Sequence, residues 1–197
     1  MKKDQIIEEA ICYIRSLFQG NSDGHGFSQT MRVFHTAMVI ANTEPACDRM
    51  VVALGALLHD VDDYKLFNTE NNANARVFLT SQQIDQSTAD RICSVINAVS
   101  FRKNHGKQPE TLEGKIVQDA DRLDAIGAVG IARTFAFGGK HGRPPELSIE
   151  HFHEKLLLLK AMMNTPKARA MAEERHAFME KFLREWAKET DPEKDPI

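Results

Sequence analysis

Cysteine is scarce in this sequence: only Cys12, Cys47 and Cys93 occur, odd in number and far apart. That argues against both a disulfide framework and a thiolate zinc site, which need paired or clustered cysteines. Long apolar runs are also missing. The longest, Met50 to Leu58, falls far short of the roughly 18 residues that suggest a membrane span. Nor is there an excess of charge of one sign, since the formal net charge is only -3. Such a chain has no broad electrostatic pull toward DNA, RNA or anionic lipid, so a phosphate-bearing partner must be held by a local site. A small-molecule ligand fits that better than a stably bound nucleic acid or a membrane. Lys2, Lys3, Asp4, Glu8 and Glu9 interrupt any early apolar run that could serve as a secretory signal, and the expected location is the cytoplasm. Three chemical signatures are absent as well: a P-loop, a Gly-x-Ser-x-Gly elbow and a complete dinucleotide fingerprint.

What is present is a globular balance of 42% hydrophobic and 27% charged residues over 197 positions, enough for one domain with a sizeable core. No set of alternating β-branched segments bounded by turns occurs, so the expected fold class is all-α. Helical spacing of Ile7, Ala10, Ile14 and Leu17 predicts a helix over 3–18. A turn-rich break over 20–26 follows, then a helix from about Ser28 with Phe34, Ala37, Met38 and Ala41 on one face, ended by Pro45. Asp48 is the expected N-cap of a third helix, whose apolar run to Leu58 marks it as buried on most sides. Further helices are expected at 71–80, 87–99 and 111–126. The glycines and prolines from Gly138 to Pro145 predict a loop. Two long helices, Ser148 to Met163 and Pro166 to Thr190, should then form a hairpin, with Met179, Phe182, Leu183 and Trp186 as the apolar stripe of the second. The expectation is a single domain over 1–197, with a core at about 20–137 and C-terminal helices at about 148–190.

Directly after the apolar run stands His59-Asp60. Ionisable groups beside buried helix are costly unless a partner or a metal offsets their lost hydration. A plain capping role is the competing explanation, because the negative end of a helix favours histidine. A second acidic cluster, Asp119, Asp121 and Asp124, lies among Ile116, Val117, Leu123 and Ile126. On a helix Asp121 and Asp124 share a face, while Asp119 points about 200° from Asp121. One carboxylate is therefore the expected ligand, the others pairing with Arg122, Lys115 or helix ends. Imidazole nitrogen with carboxylate oxygen suits Mn, Fe, Ni, Zn or Mg. Such an ion polarises a phosphoryl oxygen and generates a nucleophile from water, so hydrolysis of a phosphate ester or anhydride is the chemistry indicated. Asp63, on the turn leaving the buried helix, either exchanges a proton or is an exposed turn acid. Lys65, Arg102 and Lys103 offer charge for a polyphosphate, the alternative being solvated surface charges. Gly127 and Gly130 indicate close helix packing.

Through "ALLHDVDDYK", "EGKIVQDADRLDAIGAVGIARTF" and "HFHEKLLLLKAMMNTPKARAMAEERHAFM", the sequence resembles the HD-domain superfamily of metal-dependent phosphohydrolases. It is most similar to a bacterial subfamily of stand-alone HD hydrolases, over about residues 20–187. The resemblance implies an HD-type helical bundle with the C-terminal hairpin packed on it. It also implies one divalent ion, of Mn, Mg, Ni, Fe, Co or Zn, held by His59, Asp60 and Asp121. The family's first ligand is a His three residues before an Arg-Val pair; here Arg32-Val33 are present and that position is Gln29. An amide oxygen can bind a hard cation but is a weaker ligand than imidazole and shifts preference away from Zn or Ni. His25, four residues earlier, is expected to contact substrate or orient a neighbouring group. By the same resemblance the substrate is a nucleotide, with deoxynucleoside triphosphate cleaved to monophosphate and pyrophosphate. The rival is a catalytically weakened protein that senses a nucleotide or phosphate because Gln29 replaces the first His.

Overall fold

The computed structural model describes residues 2–19, 26–64, 66–99, 104 and 107–190, and these contain helices but no strand. In chain order the helices are α1 (Lys2–Leu17), α2 (Phe27–Ala41), α3 (Arg49–Leu58), α4 (Ala73–Ser81), α5 (Gln86–Val99), α6 (Leu112–Asp124), α7 (Gly127–Lys140), α8 (Pro145–Glu154), a 3₁₀ segment η1 (Leu156–Met162) and α9 (Pro166–Thr190). The all-α expectation therefore holds. No helix among the described residues is long and apolar enough to cross a membrane. Packing divides the chain into two compact units, Met1–Asp121 and Arg122–Ile197, and the division falls inside α6.

The first unit is organised around α3, against which α1, α2 and α5 pack, with α4 on α5. The reason is in the composition of α3: every residue from Val51 to Leu58 is buried, so this helix needs neighbours on all sides. It begins as expected, with the Asp48 carboxylate accepting hydrogen bonds from Met50 N at 3.1 Å and Val51 N at 3.4 Å. Gly55 lets α5 approach, since a Cβ there would lie 2.7 Å from Val95 Cγ1. In α2 the buried face is Val33, Ala37, Ile40 and Ala41, turned by one position from the expected Phe34-Ala37-Met38-Ala41 face. The helix stops at Ala41, short of Pro45.

In the second unit, α7 and η1 pack against α9, and α8 packs against both α7 and η1. Phe135 on α7 joins Phe152 on α8 and Phe182 and Trp186 on α9, with ring centroids 6.2, 5.9 and 5.7 Å from that of Phe135. Two expectations are corrected here. Gly138 and Gly139 lie within α7, which runs to Lys140, so the predicted loop shrinks to 141–144. Gly138 is packed so closely against Ser148 that a Cβ would come within 2.5 Å of its hydroxyl, and tertiary contact thus overrides the weak helix propensity. The predicted helix from Ser148 to Met163 is instead α8 followed by η1, broken at Lys155, whose φ of -138° is not helical. Pro145 sits in the first turn of α8, where its missing N–H costs nothing.

Gly55 and Gly139 make a contrasting pair. Gly55→Ala should destabilise the protein by about 1–3 kcal/mol, because buried Val95 is stiff and has to move. Gly139→Ala, with nothing within 4 Å of its new Cβ, should be neutral or stabilise by up to about 1 kcal/mol. Urea melts of both variants measure these shifts, and equal signs would contradict the packing described for α3 and α5.

Candidate functional site

The site forms where the buried helix α3 runs out. His59 follows Leu58 as the C-cap, with helical backbone angles. Its ring Nδ1 lies 2.8 Å from the carbonyl oxygen of Ala56, one of the oxygens that a helix end leaves without an intrahelical partner. A carbonyl only accepts, so Nδ1 carries the proton and donates. Nε2 is then the nitrogen left to take a second proton or a cation, and the geometry aims it at acidic residues. Asp60 Oδ2 lies 3.2 Å from Nε2 and Asp121 Oδ1 lies 3.8 Å from it.

Asp121 arrives from α6, and Gln29 arrives from the first turn of α2. Gln29 Nε2 lies 3.4 Å from His59 Nε2 and donates to Asp121 Oδ1 at 3.3 Å. Three separate helices thus bring one imidazole, two carboxylates and one amide to a common point. His59 and Gln29 are buried, while the Asp121 side chain is 38% exposed, so the point is reached from one side.

Burial acts to lower the His59 pKa by penalising the charged ring. The Asp60 charge and hydrogen bond, then Asp121 and the Ala56 carbonyl, overcome this and raise it from 6.5 to about 9. The cluster therefore holds a positive charge near neutral pH, as a proton on His59 or as a cation in its place. No His, Cys, Asp or Glu trio among the described residues has the arrangement of a formed metal cage. Here the imidazole and carboxylates lean directly on one another. The donor set itself fits a hard or borderline divalent ion: one imidazole nitrogen, carboxylate oxygens, and the Gln29 Oε1, which is buried and has no hydrogen-bond partner among the described residues.

Of the acidic cluster on α6, Asp121 brings its carboxylate to His59. Asp119 is fully buried, and Asp124 pairs with Arg133. Arg122 donates to the Met162 carbonyl at 2.5 Å. Asp63 is half-buried and lies on the turn beyond Asp60, its N–H donating to the Asp60 carbonyl at 3.0 Å. His25, Lys65, Arg102 and Lys103 lie outside the described residues. Gly127, with φ +78°, needs glycine for its left-handed backbone, and Gly130 lies so near the Ala125 carbonyl that a Cβ would sit 2.3 Å from its oxygen. Both serve packing, as expected.

Sequence reading missed Asp62. Its carboxylate accepts from Thr69 Oγ1 at 2.7 Å, Asn74 N at 2.9 Å and Ala75 N at 3.0 Å. It therefore caps α4 from a distance and ties that helix to the turn carrying Asp60. Asn72 occupies the local N-cap position but adopts a left-handed backbone and makes no side-chain cap, so an ordinary-looking cap residue hides the real one. Gln118 was also missed: its amide donates to the carbonyls of Ala98 and Lys107, at 3.2 and 2.9 Å.

A model of the HD domain matches residues 26–126. The protein YpgQ of Bacillus subtilis (strain 168) is 41% identical over 197 residues, covering 96% of each chain. The crystal structure of Bacillus subtilis YpgQ in complex with ADP is similar with a TM-score of 0.81, at 36% identity over 97% of this chain and 98% of that one. The crystal structure of an HD-superfamily hydrolase from Bacillus thuringiensis is similar with a TM-score of 0.78, at 36% identity over 95% and 97% of the two chains. The matched stretch carries all four converging side chains, and this chain belongs to the HD-domain family.

Proposed function

We propose that this protein is a divalent-metal-dependent phosphohydrolase acting on nucleotides, converting a deoxynucleoside triphosphate to the monophosphate and pyrophosphate. The observation that carries the reading is the convergence of His59, Asp60 and Asp121, with His59 Nε2 turned inward by the Ala56 carbonyl. Structural similarity to the HD-superfamily hydrolase of Bacillus thuringiensis supports hydrolysis. Similarity to YpgQ, crystallised with ADP, supports a nucleotide ligand.

In this reading His59, Asp60 and Asp121 hold the cation. A bound divalent ion supplies Lewis acidity toward a phosphoryl oxygen and a lowered pKa for attacking water. The rest falls to the chain. Water adds to the α-phosphorus, the bond from that phosphorus to the bridging oxygen breaks, and pyrophosphate departs with the electron pair. Asp63, one turn beyond Asp60, takes up the proton that the water loses. Lys65, two residues further along the sequence, balances charge on the leaving group, and Arg102, Lys103 and His25 hold the remaining phosphate oxygens.

Hydrolysis across a panel of nucleotides with added Mn, Mg, Ni or Co tests the enzyme directly. Asp121→Asn and His59→Gln should each lower turnover on the order of 100-fold or more, beyond the usual loss for a group that merely orients a ligand. Tight nucleotide binding without turnover in any metal would replace the enzyme by a nucleotide sensor.

The raised His59 pKa also sets a pH dependence. In the metal-free protein His59 binds its proton more tightly when folded, so its stabilising contribution is full below about pH 6.5 and is lost as pH rises through about 9. A cation must displace that proton. Its affinity should therefore climb with pH up to about 9, and calorimetry near pH 7.5 in buffers of different ionisation enthalpy should register release of about one proton per cation bound. Proton uptake, or none in either direction, would contradict the assignment of His59 as a ligand.

A further inference from the structure

The geometry points to Gln29 as a built-in stand-in for the cation: its amide nitrogen fills the space between His59 and Asp121 in the metal-free protein, and its buried oxygen takes over when a hard divalent ion binds. This rests on the cation site proposed above and states how that site is kept assembled and which ions it favours.

Three observations carry it. The His59 Nε2 lies nearer to Asp60 Oδ2, at 3.2 Å, than to Asp121 Oδ1, at 3.8 Å. A carboxylate oxygen facing the site calls for something positive or donating beside it. The Gln29 amide nitrogen supplies this, donating to Asp121 Oδ1 at 3.3 Å while lying 3.4 Å from His59 Nε2. It does for Asp121 what a cation would do, using an N–H bond in place of an ion–ligand contact. The cost appears at the other end of the same amide, where Oε1 is buried without a hydrogen-bond partner among the described residues. The two ends of a carboxamide are nearly the same size. Turning the group over therefore presents oxygen to the site without repacking α2, and gives the orphaned atom a partner.

The position of Gln29 makes this specific. It is the third residue of α2, where a glutamine often reaches back to cap its own helix. The helix has no side-chain cap from Gly26, and Gln29 crosses instead to α3 and α6. An amide oxygen is a hard, neutral donor, so the resulting site favours magnesium or manganese relative to zinc or nickel more than a second imidazole would.

The test uses metal-stripped full-length protein, with magnesium, manganese or zinc chloride alone as the probe. Melting temperature and calorimetric affinity are the readouts, and nucleotide turnover plays no part. Gln29→His should raise zinc affinity at least about tenfold over the native chain while manganese changes by less than about threefold. Gln29→Met, similar in shape but unable to donate, should melt lower than native without metal and lose at least about tenfold in manganese affinity. In nitrogen-15 spectra the side-chain amide signal that Gln29→Met removes should shift when magnesium is added to the native protein. Cation binding by Gln29→Met as tight as native, with the zinc-to-manganese ratio unmoved in Gln29→His, would overturn the role of Gln29 while leaving the cation site standing. Absence of any cation binding in the native chain would overturn both.

Discussion

One hydrogen bond gives the site its direction: the ring of His59 donating from Nδ1 to the carbonyl of Ala56. It satisfies a carbonyl that the end of α3 would otherwise leave open, and it fixes which nitrogen faces outward from the helix. Because every residue from Val51 to Leu58 is buried, the helix that makes this bond cannot rotate to relieve it. The charge cluster is therefore built on the most constrained element of the first unit. Asp60 and Asp121 raise the proton affinity of His59, and Gln29 donates to Asp121 beside it. Remove the Ala56 contact and the ring could present either nitrogen, which would dissolve the common point.

The supports around this cluster are polar and local. Asp62 reaches past its own turn to hold two backbone N–H groups at the start of α4, which ties the turn after Asp60 to that helix. Asp124, three residues from Asp121, pairs with Arg133. Neighbouring carboxylates in one short stretch of sequence thus take separate structural and chemical tasks, each set by which cation or donor lies within reach.

Much of the first unit was legible because its signals are strong and repeated. The apolar run of α3, the Asp48 cap and the spacing Ile92, Val95, Ile96 and Val99 in α5 each require the structure they receive. Misreadings came where local preference is weak. Gly138 and Gly139 read as loop formers, yet they close α7 against Ser148, where a larger residue would not fit. Lys155 carries no breaker signal, and the division between α8 and η1 there has no local chemical cause. Asp62 was invisible as a cap because its partners are twelve and thirteen residues away.

Taken alone, the order of residues determined an all-helical chain, the buried helix ending in His59-Asp60, and the rule that only one face of α6 could supply a ligand. Those follow from periodicity and from the cost of placing charge beside apolar helix, which act within a few residues. Only tertiary structure decided that Asp121 meets His59, and that the Gln29 nitrogen rather than its oxygen faces them. Such choices depend on distances between separate helices, and spacing along one chain does not encode which atom of a side chain another helix will meet.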